Sequence, residues 1–186
     1  MTTADRAVLL APGASASRDH PSLVAVEDAL RPDGVPVDRI DFPSRKAAAA
    51  VLGLVRDGAE ALVARTGLAD ERIVLGGRSY GGRMCSMAVA EGLPALGLVL
   101  VSYPLHPPGR PEKARIEHLP RLAVPCLFVS GTRDSFGTRA ELEAATATIP
   151  GPVTHVWIEG GDHGLRGRDA EVAAVVRDWV VGLDVP

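Results

Sequence analysis

The chain has 186 residues, and its 46% hydrophobic composition can fill one substantial core, so we expect a single domain over residues 1–186. A net charge of −3 with interspersed signs and only 4% aromatic residues give no basic stripe and no base-stacking surface, so we expect no nucleic-acid partner. No run approaches the roughly 18–20 apolar residues of a membrane span, so we expect no membrane partner.

The first apolar run follows Arg6 and could be mistaken for the centre of a signal peptide. It is only about five residues long before Pro12 and Gly13 interrupt it, whereas such a centre usually spans about 7–15 residues. We therefore interpret it as a strand of a cytoplasmic protein. The two cysteines, Cys85 and Cys126, lie in apolar contexts without neighbouring ligands, which predicts buried free thiols and no metal site.

Apolar runs typical of strands alternate with amphipathic runs typical of helices. This alternation predicts a three-layer α/β/α fold with a mostly parallel sheet, and several strands are nearly continuous in Val, Leu and Ile, as expected when helices cover both faces. The six predicted strands are Ala7–Ala11, Val35–Asp41, Arg72–Gly76, Leu96–Ser102, Pro125–Ser130 and Val153–Glu159. The five predicted helices are Pro21–Leu30, Ser44–Thr66, Gly81–Glu91, Arg139–Thr148 and Asp169–Leu183.

The sequence also predicts where some helices begin and which connection is a long loop. Pro21 suits the first turn of a helix, and Ser44 and Asp169 are predicted N-caps. The interval between the fourth and fifth strands contains five prolines, which predicts a loop with at most a short helix. Long irregular loops in compact domains are often functional.

A glycine-rich turn follows the third predicted strand. The residues GRSYG at 77–81 match G-x-S-x-G, with a strand before and a helix after. Glycines two positions on either side of Ser79 permit a sharp turn that lifts its hydroxyl out of the sheet. A P-loop would require Lys and Ser or Thr at the helix start, and the dinucleotide fingerprint is absent. The turn therefore predicts a nucleophilic serine and no cofactor.

A serine hydroxyl needs a base, and the base needs an acid that orients it. In this fold the order along the chain is serine, acid and histidine, each after a strand. Asp134 follows the fifth predicted strand and His163 follows the sixth, which predicts the triad Ser79–Asp134–His163. Asp162 is a rival acid, but its adjacency to His163 is unfavourable, and Glu159 belongs to the strand end. None of the other histidines ends the last strand; they are His20, His106, His118 and His155.

Ester hydrolysis also requires donors that stabilise the oxyanion. We expect the first to be the Tyr80 N–H, at the start of the helix after the serine. The second should come from the loop after the first strand, where we assign the Ala14 N–H, with Gly13 making the turn.

The substrate pocket is predicted from residues near the elbow and in the proline-rich loop. Tyr103, Leu105 and His106 are expected to shape it. Arg78 and Arg83 flank the serine and could either attract an acidic substrate or bond to nearby loops and solvent.

Taken together, these segments resemble those of α/β-hydrolases over essentially the whole chain. Four segments resemble a small lid-less subgroup distantly related to dienelactone hydrolases, which includes predicted bacterial hydrolases and a domain of a eukaryotic chromatin-complex subunit. They are APGA at 11–14, GRSYGG at 77–82, YPLHPPG at 103–109 and GTRD at 131–134. The resemblance implies about six parallel strands without the first antiparallel hairpin of larger relatives. The usual cap domain is missing, because the interval after the fourth predicted strand is too short to hold one. Dienelactone hydrolases use cysteine where this chain has Ser79, so their substrate is not transferred.

The sequence thus predicts a cofactor-free serine esterase acting on a small-molecule ester or thioester. An acyltransferase or peptidase could use the same acyl-enzyme. The eukaryotic member of the subgroup suggests a further alternative, a scaffold with little or no turnover that binds a protein or small-molecule partner.

Overall fold

The computed structural model describes residues 4–43 and 47–185. They form one sheet of six strands in the order β2-β1-β3-β4-β5-β6, and every neighbouring pair is parallel. The strands are β1 (Ala7–Ala11), β2 (Val37–Arg39), β3 (Ile73–Arg78), β4 (Gly97–Val101), β5 (Cys126–Gly131) and β6 (Val153–Ile158). The helices are α1 (Pro21–Leu30), α2 (Ala48–Thr66), α3 (Tyr80–Ala90), α4 (Arg139–Thr146) and α5 (Asp169–Val181).

The core consists of two apolar layers, one on each face of the sheet. Because side chains alternate along a strand, Leu9 of β1 packs in the layer that contains α2 and α3, whereas the adjacent Leu10 packs with α1 and α5. Both leucines are fully buried or nearly so. The predicted three-layer architecture is therefore confirmed, and the hydrophobic runs of the central strands follow from helices on both faces.

Most element boundaries lie close to the predicted ones, and β1 and α1 match them. The prediction that Asp169 caps α5 is wrong, because Arg168 is the N-cap and Asp169 is the first helical residue. Pro21 does lie in the first turn of α1. The predicted cap Ser44 lies outside the described residues. None of the helices in the described part of the chain is long and apolar enough to cross a membrane.

The connection between β4 and β5 is a long loop, as predicted, with two short 3₁₀ turns at Pro111–Lys113 and Leu119–Arg121. The loop closes on itself, because the Arg115 N–H donates to the Leu105 carbonyl at 2.8 Å and the Tyr103 hydroxyl donates to the Arg115 carbonyl at 2.8 Å. Within residues 4–43 and 47–185 no further domain covers the carboxyl ends of the strands.

The carboxyl end of β3 packs against β1 with no room for side chains. A Cβ at Gly77 would lie 2.0 Å from the Ala11 carbonyl oxygen, and one at Gly81 would lie 2.3 Å from the same atom. Gly77 also has a φ of 155°, which L side chains rarely adopt. These two glycines let α3 begin directly above the ends of β1 and β3, which fixes the position of Ser79 between them.

Replacing Gly77 with alanine should therefore be severely destabilising. We expect Gly77→Ala to lower the free energy of unfolding by more than about 3 kcal/mol, since backbone would have to move. Gly53→Ala is the matched control, because a Cβ there meets no atom within 4 Å. Its position inside α2 predicts a gain of about 0.5–1 kcal/mol. Urea unfolding followed by circular dichroism measures both, and equal midpoints for the two variants would contradict the packing argument.

Candidate active site

Ser79 occupies the turn between β3 and α3 in a strained backbone conformation. Its φ of 50° and ψ of −118° are unusual for a residue with a side chain, and such a conformation costs about 1–3 kcal/mol. Two hydrogen bonds hold it: the Ser79 N–H donates to the Val101 carbonyl at 2.8 Å, and the Arg83 N–H donates to the Ser79 carbonyl at 3.1 Å. The turn thereby presents the hydroxyl at the carboxyl edge of the sheet.

The structure brings the three predicted residues of the triad together. The Ser79 Oγ lies 2.9 Å from His163 Nε2, and His163 Nδ1 lies 2.9 and 3.0 Å from the two oxygens of Asp134. A carboxylate only accepts hydrogen bonds, so Nδ1 carries the ring proton and Nε2 presents a lone pair to the hydroxyl. The arrangement can therefore accept the serine proton.

Two contacts hold the acid and the base in position. The Asp134 side chain is only 3% exposed, and its Oδ1 accepts the Phe136 N–H at 2.8 Å. The Phe136 ring stacks on His163 with centroids 3.9 Å apart and an interplanar angle of 25°. Phe136 was not predicted from the sequence, where its only signal is an aromatic residue two positions after the acid.

The rival acids do not contact His163. The carboxylate of Asp162 accepts the Leu165 N–H at 2.9 Å and closes the turn that follows the histidine. Glu159 accepts from the Thr132 hydroxyl at 3.4 Å on the exposed surface. The choice of Asp134 as the partner of the imidazole therefore agrees with the geometry.

A cleft of about 500 Å³ opens over Ser79. Besides the serine and His163, residues named from the sequence line it: Gly13, Ala14, Arg78, Tyr80 and Arg83. Lining residues that the sequence analysis did not assign to the site are Ser15, Ala16, His20, Pro104, Arg115 and Phe136. Most of these lie on loops whose course depends on tertiary packing.

Both predicted oxyanion donors belong to the walls of this cleft. Ala14 lies in a turn that the Ala16 N–H closes by donating to the Gly13 carbonyl at 3.1 Å. A Cβ on Gly13 would lie 3.8 Å from Ser79 Cβ, so this turn borders the nucleophile. The Tyr80 N–H belongs to the first turn of α3, where N–H groups lack acceptors within the helix and the helix dipole favours negative charge.

Tyr103, Leu105 and His106 are buried and are not among the residues that line the cleft. The Tyr103 ring packs against Phe128 in the core. The His106 N–H donates to the Phe136 carbonyl at 2.9 Å. This hydrogen bond ties the run to the loop that carries Phe136. The positions of the three side chains give no support to their predicted role in substrate binding.

A second serine–histidine pair lies in the interior and differs from the first. The Ser86 hydroxyl is 2.8 Å from His118 Nε2, and both residues are buried. Burial, followed by the charge of Arg83, lowers the pKa of His118 to about 4 from its ordinary 6.5. Neither residue lines the cleft over Ser79. We therefore assign this pair to the packing of α3 against the long loop.

The lowered pKa of His118 predicts a dependence of stability on pH. The unfolded chain binds the proton near pH 6.5 and the folded chain only near pH 4, so protonation favours unfolding between these values. The free energy of unfolding should fall as the pH decreases through this window. We expect His118→Gln to make that fall shallower, measured by urea unfolding at pH 7.0, 5.5 and 4.5. An unchanged slope in the variant would show that His118 is not the titrating group.

Comparison with known proteins places the chain in a family. A family model described as an alpha/beta hydrolase domain matches residues 4–175, so the chain belongs to the alpha/beta hydrolase family. Among solved structures it is similar to a dienelactone hydrolase from Anabaena variabilis, with a TM-score of 0.78 and 20% identity over 97% of this chain and 87% of that one. It is also similar to Est1E from Butyrivibrio proteoclasticus, with a TM-score of 0.79 and 17% identity over 96% and 88%.

A shorter similarity extends to a curated protein. Epoxide hydrolase A of Mycobacterium tuberculosis is 35% identical over 65 residues, which are 34% of this chain and 20% of that protein. The chain therefore spans about one fifth of that relative. At these identities the solved structures show a shared fold, and the family match shows that the chain belongs to the alpha/beta hydrolase family.

Proposed function

We propose that this hydrolase is a serine esterase that cleaves a carboxylic ester or thioester through an acyl-enzyme on Ser79, without a cofactor. One observation carries the proposal: Ser79 Oγ, His163 Nε2 and Asp134 form a continuous hydrogen-bonded chain at the floor of an open cleft. Side chains in this order and geometry are those that activate a serine for acyl transfer.

In the acylation step, the Ser79 oxygen attacks the carbonyl carbon while His163 Nε2 takes the hydroxyl proton. The carboxylate of Asp134 stabilises the imidazolium that forms. The carbonyl oxygen becomes an oxyanion, which the N–H groups of Tyr80 and Ala14 stabilise; one such donor typically contributes about 2.7–4 kcal/mol. His163 then protonates the leaving alcohol or thiol as its bond to the acyl carbon breaks.

In the deacylation step, water replaces the departed group. His163 Nε2 removes a proton from the water, whose oxygen attacks the acyl carbon. The second tetrahedral species collapses as the proton passes to Ser79 Oγ, which releases the carboxylic acid and restores the serine.

Covalent labelling of Ser79 tests the proposal most directly. A fluorophosphonate probe should label the folded wild-type protein, and Ser79→Ala should abolish labelling, because the probe forms its bond to the activated hydroxyl. The same pair should differ by more than about 10³-fold in kcat on p-nitrophenyl esters of increasing acyl length. Folded wild-type protein that is neither labelled nor active would favour the scaffold alternative.

The role of the acid is tested separately with two isosteric variants. Asp134→Asn should reduce kcat by about 10⁴-fold, because the amide can hold His163 in the wrong tautomer. Asp162→Asn makes the same replacement of a carboxylate by an amide, at the residue that precedes His163. The remaining side-chain oxygen can still accept the Leu165 N–H. We expect that control to stay within about 3-fold of wild type, since surface changes of this kind have small effects. Comparable losses in both variants would refute the assignment of Asp134.

A further inference from the structure

The wall of the cleft is strongly cationic. Arg78, Arg83 and Arg115 all line it, and no Asp or Glu is found among the described residues that do so. Nine arginines elsewhere in the described chain form salt bridges with carboxylates; they are Arg6, Arg18, Arg31, Arg39, Arg56, Arg65, Arg139, Arg168 and Arg177. Within the same residues, the three cleft arginines form none.

Arg83 is the member of this group whose position is best defined by the backbone. It lies in the first turn of α3, four residues after Ser79, and both residues line the cleft. Its Nε is buried and has no hydrogen-bond partner among the described residues. The residue as a whole is half-buried and lines the cleft, and a buried donor without an acceptor is unfavourable.

Arg115 reaches the same wall from the long loop. Its Nη1 donates to the Pro104 carbonyl at 3.3 Å, a contact that places the guanidinium but adds no negative charge. Burial and the charge of Arg83 both lower the pKa of Arg115, which shows that the two cations lie within electrostatic reach of each other. Two like charges on one partly desolvated wall repel, and an anion between them would remove that repulsion.

Arg78 has a different function. Its Nη2 donates to the His163 carbonyl at 2.8 Å, and the carboxylates of Asp134, Asp162 and Asp169 lie near enough to act on its pKa. It therefore secures the loop that carries the catalytic histidine. This leaves Arg83 and Arg115 as a pair of cleft arginines that form no salt bridge with any carboxylate of the described residues.

We propose that Arg83 and Arg115 form a carboxylate-binding subsite, so that the enzyme selects esters whose acyl or alcohol part carries a negatively charged carboxylate. The planar guanidinium forks of two arginines match the geometry of a carboxylate. This inference rests on the proposed esterase function, because the subsite adjoins the serine that the reaction uses.

Two pairs of substrates test this selectivity, one for each side of the scissile bond. Mono-p-nitrophenyl adipate carries its charge on the acyl side, and its methyl ester is the neutral counterpart. The 4-acetoxybenzoate anion carries the charge on the alcohol side, and its methyl ester is again neutral. For wild type we expect kcat/KM to favour the anionic member of at least one pair by about 10-fold or more, and 0.5 M NaCl to reduce that preference.

Charge-neutralising variants identify the residues responsible. Arg83→Gln and Arg115→Gln should each lower kcat/KM for the preferred anionic ester by about 10- to 100-fold, so that the ratio of anionic to neutral ester approaches one. Arg121→Gln is the matched control, because Arg121 lies in the same loop and is absent from the cleft lining. Its ratio should equal that of wild type. Circular dichroism confirms folding, and the Arg115 variant remains informative if the Arg83 variant does not fold.

The outcomes separate this inference from the function on which it rests. Ser79-dependent hydrolysis with a ratio near one in both pairs would overturn the carboxylate subsite and leave the esterase standing. If folded wild type is neither labelled by the fluorophosphonate probe nor active on any ester, including these four, the proposed function fails, and calorimetric binding of monomethyl adipate then decides the subsite. If monomethyl adipate binds to wild type and Arg83→Gln abolishes this binding, the carboxylate subsite is supported. If monomethyl adipate does not bind to wild type, the subsite is overturned.

Discussion

The contact that determines the rest of the site is the close approach of β1, β3 and α3 around the Ala11 carbonyl. Gly77 near the end of β3 and Gly81 in the first turn of α3 both pack against this oxygen, with no room for a side chain at either position. The strained φ of Ser79 follows from this approach, because the chain must reverse within a few residues. The turn after β1 is brought to the serine by the same packing. One steric constraint thus places the hydroxyl beside both predicted oxyanion donors.

The acid and the histidine form a second unit, which packs against the first. Gly131 at the end of β5 lies so close to Gly161 that a Cβ would meet its carbonyl oxygen at 2.2 Å, and the Arg133 N–H donates to that carbonyl at 2.8 Å. These contacts join the loops that follow β5 and β6. His163 lies on the second of these loops, and β4 lies between this pair of strands and β3, which carries the serine turn. The bond from Arg78 to the His163 carbonyl connects this unit to the elbow. Backbone contacts thus hold the triad from both sides.

The sequence predicts well what depends on local patterns. The continuous apolar run of β1 and Pro21 at the start of α1 made these two elements recognisable to the residue. The order of serine, acid and histidine, each after a strand, predicted three side chains that lie within hydrogen-bonding distance of one another. The direction of a side chain on a loop is predicted poorly from the sequence. Tyr103 was expected in the pocket but turns into the core, and the ring of Phe136 on His163 depends on a hydrogen bond from His106, thirty residues earlier. Contacts of that kind leave no periodic signal.

The side chains beneath the cleft do not neutralise the positive charge of its arginines. The Ser86 hydroxyl donates to the Arg83 carbonyl at 2.8 Å, and the charge of Arg83 acts on the pKa of His118 and of Tyr103. Burial lowers the pKa of the histidine to about 4 and raises that of the tyrosine well above its usual value. These buried groups are therefore neutral, and the carboxylate that acts on them, Glu117, is exposed. Proteins tolerate such local conflicts mainly where function requires them. Since the described residues place no carboxylate among those lining the cleft, the charge of Arg83 and Arg115 is directed toward whatever binds there.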